Sequence, residues 1–411
     1  MQRLPLPEFT SGYEPPAISL PSARAIWWSY VDVVLLILAL MLAGWLAIRK
    51  RSRTGLLILG VFSLFYFGFW RRGCVCPVGS LQNIVLALSF ADYSPGWLVS
   101  AFFVLPLLTA LIVGRVFCAG VCPLGAIQDI VILRPVKIPD WLDSTLRVIP
   151  FVYLGLAVLF TVMEMGFIVC RFDPFVTIFR LSGTQQAWIL AGAFLLAGAF
   201  IARPYCRYFC PYGVLLGWMS RLSWRHLTIT PTECIQSRLC ENACPFNAIV
   251  RPGDSSAMEG KQRRARRLVG IISLLPFLLG AWLLLGWYFG GALAKFHPVV
   301  KLAERVKVEE THAFQNKSLE TEAFRASNVP VNELYKDAMK ISRRCRIGGL
   351  IFGIFVAVVI FAKLVAWAVP YWPDRYMPNS GNCFSCGRCF EYCPVGKSPE
   401  IAERIKNRSK K

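Results

Sequence analysis

The sequence predicts an α-helical membrane protein of about seven transmembrane helices, with a split two-cluster ferredoxin-like domain at one side. Three observations predict it. The 411 residues are 55% hydrophobic and only 17% charged, little charge for a soluble chain of this length. The apolar residues gather in runs close to the ~20 needed to cross a hydrocarbon core. Two cysteine runs of equal length, Cys234 to Cys244 and Cys383 to Cys393, each close on Cys-Pro.

Residues 1–26 hold five prolines and no apolar period, and read as an extended arm. Because the first apolar run follows this polar stretch, no cleavable signal peptide is expected. Apolar runs then follow near 27–48, 55–70, 97–114, 149–170, 187–203, 268–289 and 347–369. The expected division is the outer arm 1–26, a membrane core 27–225, a first ferredoxin half 226–267, a helical hairpin 268–370 with an outer loop 290–346, and a second ferredoxin half 371–411. The loop mixes both charge signs, which suits an ordered cap or docking surface as well as a plain solvated connection.

The net charge of +21 sits in short clusters beside the apolar runs. This argues for the positive-inside rule and against nucleic acid as a partner. Arg49-Lys50-Arg51-Ser52-Arg53, Arg134 and Lys137, Arg203, Arg207, Arg221 and Arg225, Arg263, Arg264, Arg266 and Arg267, and Lys410-Lys411 all fall on one side if the spans alternate. That side is then cytoplasmic, the arm lies outside, and the chain is a multi-pass protein of the cytoplasmic (inner) membrane. Arg71-Arg72 land on the other side as the exception. Both ferredoxin halves come out cytoplasmic.

Cys383, Cys386 and Cys389 at three-residue spacing, then Cys393-Pro394, are the run that wraps an iron–sulfur cube, the last cysteine reaching a second cube. Zinc, which also takes four thiolates, is the alternative. The earlier run has Cys234, Ser237, Cys240 and Cys244-Pro245, with serine where the second cysteine would stand. Exchange of the fourth ligand assigns Cys383, Cys386, Cys389 and Cys244 to one complete site. It assigns Cys234, Cys240 and Cys393 to another, with Ser237 at the vacant corner, suited to a serine-ligated, open or three-iron cluster, or to no cluster.

The fifteen cysteines are not those of a small disulfide scaffold. A Cys-Pro motif recurs at Cys74-Val75-Cys76-Pro77, Cys118 to Cys122-Pro123 and Cys206 to Cys210-Pro211, with Cys170 to Asp173-Pro174 as a degenerate fourth copy. Repetition after successive apolar runs suggests a duplicated membrane unit. Alternation of the spans places Cys118, Cys122, Cys206 and Cys210 at the inner face, enough for one four-iron cluster; separate redox-active or metal-carrying pairs are the alternative. It places Cys74, Cys76, Cys170 and Asp173 at the outer face, as a cluster site or as cysteines paired in a disulfide. Cys345 reads as structural. Glu164 lies inside the fourth apolar run, where an acid is costly and often functional, so it is a candidate for quinone or proton chemistry; its place near the end of the run also suits a solvated side chain. His226, His297 and His312 lie outside the runs, so no haem is expected.

These motifs resemble those of the NosR/NapH group of membrane polyferredoxins. Cys118/Cys122 and Cys206/Cys210 match the group's membrane motifs, and Cys234 to Cys244 and Cys383 to Cys393 its ferredoxin parts. The hairpin between the halves, with Phe296-His297-Pro298 and Leu302-Ala303-Glu304-Arg305, looks more like the NosR branch. The resemblance covers roughly residues 10–400 and implies a membrane electron carrier of nitrous-oxide respiration. Two departures stand out. The outer flavin-binding domain of NosR-type proteins has no counterpart here, since Ser182-Gly183-Thr184 is too little to suggest covalent flavin; FMN is then expected on a partner, or not at all. Ser237 breaks the ferredoxin pattern.

The expected function is transfer of electrons across the membrane between a quinol or cytoplasmic donor and a periplasmic reductase, cytochrome or flavoprotein subunit. Two to four [4Fe-4S] clusters are expected, one of them [3Fe-4S] or serine-ligated. Two other classes stay open: a copper-handling or assembly factor, since soft thiolates suit Cu(I), and a redox sensor.

Overall fold

The computed structural model describes residues 25–73, 76–229, 234, 236–252, 261–312, 318–327, 329–369, 373 and 375–393, with backbone alone at 261–264 and 312. The predicted arm, Cys74 and the C-terminal lysines lie outside them, apart from Ala25 and Ile26. The described chain is mostly helical. It opens with α1 (Ile26–Lys50) and α2 (Arg53–Trp70), whose ends widen into π-helix from Leu46 and Leu64. Then come α3 (Pro77–Ser89), α4 (Trp97–Val113), α5 (Val116–Gly120), α6 (Pro123–Val131), α7 (Asp140–Leu146), α8 (Ile149–Val162), α9 (Ile168–Phe172), α10 (Pro174–Arg180), α11 (Gln185–Phe200), α12 (Pro204–Tyr208) and α13 (Pro211–Arg221).

Among the described residues, five helical stretches are long and apolar enough to cross a membrane: α1, α2, the Asp140–Val162 stretch of α7 and α8, Ala265–Lys295 and Val331–Ala368. The other two predicted spans are the shorter α4 and α11. The fourth apolar run also ends early. Its helix stops at Val162 because Glu164 turns the chain with φ of 55°. Glu164 is therefore exposed in a turn, not inside a span, and the burial argument for it lapses. Arg71, the exception to the charge rule, has a structural reason: it forms a 2.7 Å ion pair with Asp32 of α1, which is fully buried and also accepts from the Tyr66 hydroxyl at 2.9 Å.

The two segments expected to form ferredoxin halves flank a helical hairpin. The first carries α14 (Leu239–Ala243) and β1 (Ile249–Val250). After it, α15 (Lys261–Lys295), α16 (Pro298–His312), α17 (Leu319–Ala326) and α18 (Val331–Ala368) form the hairpin and its tip. The second half carries β2 (Met377–Pro378) and α19 (Arg388–Glu391). β1 pairs antiparallel with β2, Ile249 opposite Pro378, so segments far apart in sequence close into one head. The predicted loop 290–346 is instead helical over most of its described length. Leu302, Val306, Phe324 and Leu334 make a small core of their own there.

The α15–α18 hairpin is closed by small residues. A Cβ at Gly286 would strike the Gly349 carbonyl, one at Gly353 the Trp282 carbonyl, and one at Gly290 would come within 2.5 Å of the Cys345 carbonyl. Helices pack this closely only where side chains are absent or small. Cys345, fully buried, is one of those small residues.

Candidate iron–sulfur sites

Each of the four Cys-Pro copies builds the same turn. Pro77, Pro123, Pro174 and Pro211 occupy the first position of α3, α6, α10 and α13. Proline suits that position because its missing N–H has no helical partner there. The preceding Cys76, Cys122, Asp173 and Cys210 are the caps, with φ of −97°, −74°, −74° and −67° and ψ of 123°, 116°, 112° and 109°. A residue before proline is held in this extended region. Each copy thus points a sulfur or a carboxylate at a helix N-terminus, which favours its anionic form. Asp173 Oδ1 accepts from the Phe175 amide at 2.9 Å, and Cys210 Sγ from the Gly213 amide at 3.3 Å. The amides of Gly79 and Gly125 do the same for Cys76 and Cys122. Asp173 has the backbone of a cysteine in this series.

Two glutamines tie the copies into pairs. Gln82, fully buried, donates to Thr161 Oγ1 at 2.8 Å and accepts from the Val169 amide at 2.9 Å, one residue before Cys170. Gln128, also fully buried, donates to the Leu124 carbonyl at 2.7 Å and accepts from the Tyr205 amide at 3.1 Å, one residue before Cys206. So the first copy locks to the fourth and the second to the third. Both glutamines stand in the repeat three residues after its glycine, and this equivalence is the signal that sequence reasoning had in hand without assigning a role. Replacing Gln128 by leucine is expected to strand a buried amide and lower stability by about 1–3 kcal/mol, read as a lowered unfolding temperature of the detergent-solubilised protein.

The structure brings the predicted sulfurs together in four sets. Cys118, Cys122, Cys206 and Cys210 lie within electrostatic reach of one another. Cys383, Cys386, Cys389 and Cys244 form the second set, across the two ferredoxin halves. Cys240 faces Cys234 and Cys393 in the third, while Ser237 is exposed on the turn ahead of α14. Cys76, Cys170 and Asp173 form the fourth, and a Cβ at Gly79 would lie 3.3 Å from Cys170 Sγ. Cys74 falls outside the described residues. The first and fourth sets are neighbours in the fold, for the Phe175 and Tyr205 rings beside them lie 5.3 Å apart. Tyr205 and Tyr212 face cysteines of both sets.

Two arginines stand between the membrane cysteines and the ferredoxin head. Arg115 lies 4.4 Å from the Phe384 ring and donates to the Gly381 carbonyl at 3.2 Å. Arg203, fully buried, donates to the Cys118 carbonyl at 2.5 Å and pairs both ways with Asp129. Its guanidinium lies 5.8 Å from the Phe384 ring. Arg115 faces Cys206 and Cys383; Arg203 faces Cys206 and Cys386.

Burial pushes the Cys206 and Cys383 thiols up to about 12, against the pull of the nearby arginine, and Cys240 up to about 11. Such thiols stay protonated at neutral pH unless a cationic centre takes them as thiolates. Burial also pushes the Asp173 carboxyl up to about 6, opposed by the Phe175 amide. A lone zinc would draw its thiolates to ~2.3 Å. Among the described residues no three histidine, cysteine or acidic side chains converge in that way.

A 4Fe-4S binding domain matches residues 95–139 and 187–230, the two stretches that hold Cys118/Cys122 and Cys206/Cys210. An uncharacterized protein of Methanocaldococcus jannaschii is 30% identical over 208 residues, 48% of this chain and 82% of that protein. The putative electron transport protein YccM of Escherichia coli is 24% identical over 233 residues, 48% of this chain and 65% of YccM. The regulatory protein NosR of Stutzerimonas stutzeri is 30% identical over 220 residues, 50% of this chain. The chain spans only 30% of the length of that NosR. No solved structure matches.

Proposed function

Given that the chain belongs to the NosR-type membrane iron–sulfur proteins, we propose that it carries electrons between a quinol or cytoplasmic donor and a periplasmic reductase or flavoprotein subunit. The observation that carries this reading is the continuity of the four cysteine sets. Cys240 of the outermost set faces Cys389 of the next. Arg115, Arg203 and Phe384 join that one to Cys118 and Cys206. Tyr205 and Tyr212 join those to Cys76 and Asp173. A bound iron–sulfur cluster supplies one-electron chemistry at potentials set by charge, hydrogen bonds and burial. The chain's own residues set those terms. Helix N-termini and the two arginines favour negative charge at the sulfurs, and the apolar bundle keeps water away. The basic clusters support a cytoplasmic position for the ferredoxin head.

Anaerobically purified protein is expected to hold about four irons per four-cysteine set, and the double variant Cys118→Ala/Cys206→Ala to lose about four while the head keeps its own. Copper in place of iron would overturn the proposal in favour of metal handling. A second reading, redox sensing, is favoured by the description of NosR as a regulatory protein. Sustained quinol-driven reduction followed by stopped flow supports the carrier; a single reduction without turnover supports the sensor.

A further inference from the structure

The segment that supplies Cys244 to the head is gripped by the bundle through its own backbone. The Pro245 carbonyl accepts from Arg207 Nη1 at 3.0 Å, and the Phe246 carbonyl from Arg147 Nη2 at 2.6 Å. One residue on, the Asn247 side chain donates to the Ile138 carbonyl at 3.0 Å. The two guanidiniums come from different elements, Arg147 from the end of α7 and Arg207 from α12, and both meet one carboxylate. Asp143 pairs with Arg147 at 2.9 Å and with Arg207 at 2.6 Å, and the Tyr208 hydroxyl donates to it at 2.7 Å. Asp143 and Arg207 are each 5% exposed. A guanidinium is a rigid fork, so a carboxylate that holds some of its N–H groups fixes where the others point. Asp143 therefore aims both arginines at the two carbonyls that follow Cys244.

This grip spans two cysteine sets. Arg207 follows Cys206 in the chain and Pro245 follows Cys244, so one hydrogen bond closes a short path from a cysteine of the bundle to a cysteine of the head. The Phe246 ring, buried, lies 4.8 Å from that of Phe384 in the second half. That second half is fastened elsewhere, Gly381 by Arg115 and Ser380 by the Ser220 hydroxyl at 2.7 Å. We propose that Asp143 is a positioning residue for electron passage between head and bundle. By orienting Arg147 and Arg207 it sets where the Cys244 turn stands relative to Cys206. The proposal rests on the electron-carrier reading. Groups that stand behind a ligand fix its orientation, and their loss costs roughly 10–100-fold in affinity or activity.

The test uses the full, anaerobically purified chain and the variant Asp143→Asn, which keeps the shape of the side chain and withdraws its charge. In the fully reduced protein, magnetic interaction between the groups held at Cys244 and at Cys206, read by electron paramagnetic resonance, reports their separation. Wild type is expected to show a resolved splitting, and Asp143→Asn to lose it at unchanged iron content. Dithionite meets the half-buried cysteines of the head more readily than the buried Cys118, Cys122 and Cys206. In freeze-quench experiments with dithionite, passage from head to bundle is expected to be roughly tenfold slower in the variant, with partial recovery in Asp143→Glu. A lowered unfolding temperature with splitting and rate unchanged overturns the proposal, since Asp143 then serves stability alone. Where Asp143→Asn fails to hold iron, Arg147→Gln decides, because it removes only the grip on Phe246: a lost splitting supports the proposal and an unchanged one overturns it. Wild type that holds iron in both sets yet never passes electrons from head to bundle sinks the electron-carrier reading itself, a result that needs no variant.

Discussion

Replacing Arg203 by methionine is expected to lower stability by about 3–5 kcal/mol, the cost of leaving one member of a buried ion pair behind. Arg203 has no exposed surface, and its Nε and Nη2 hold the two carboxylate oxygens of Asp129, one each. Its remaining nitrogen holds the Cys118 carbonyl, so the substitution frees both the acid on α6 and the turn that presents a cysteine. Arg203→Lys is expected to recover only part of the loss, because an ammonium cannot bridge both carboxylate oxygens while reaching the carbonyl. Thermal unfolding and iron analysis of the same preparations check this. The result expected is a large drop in unfolding temperature together with loss of iron from the Cys118, Cys122, Cys206 and Cys210 set. An unchanged unfolding temperature in Arg203→Met would remove the pair from the account of the fold.

Gly349→Val is the second large effect. The added branched side chain would meet the backbone of Gly286 and Gly290 rather than a movable side chain. Overpacking a close contact costs about 1–3 kcal/mol where neighbours can give way, and more where they cannot. Two backbones in contact are the second case, so the hairpin is expected to open and to become sensitive to protease between α15 and α18. Gly270→Ala and Gly280→Ala on α15 are the controls. Nothing lies within 4 Å of a Cβ at either position, and alanine is the better helix former. Protease resistance in Gly349→Val equal to that of these controls would contradict the close packing.

Much of the site was legible in the sequence because thiolate spacing is a direct statement of geometry. The ferredoxin spacing placed Cys244 with Cys383, Cys386 and Cys389, and those residues lie together across the strand pair of β1 and β2. The repeat placed Asp173 where a cysteine stands in the other copies, and its cap dihedrals agree. Positions of the apolar helices also followed from composition. Apolar runs do not say where a helix breaks, however. That is why Glu164 was set inside a span it lies beyond. Charge counting set Arg203 among the inner cations, left Arg71 as an exception and passed over Arg115. A count does not distinguish a guanidinium in water from one facing Asp32, Phe384 or Asp129. Gln82 and Gln128 were visible in the repeat, yet the amides they satisfy belong to distant copies that only the folded chain brings near.

The hairpin between the ferredoxin halves orders the birth of the molecule. Synthesis runs from the N-terminus, so Cys206 and Cys210 leave the ribosome long before Cys383. The first half of the head must wait, its Cys234, Cys240 and Cys244 without partners, while two long helices are inserted. The cysteines of the bundle are complete at residue 210; those of the head are complete only at residue 393. The cysteine set of the head is thereby completed late, and a nascent chain halted within α18 holds Cys234, Cys240 and Cys244 without the four cysteines that follow.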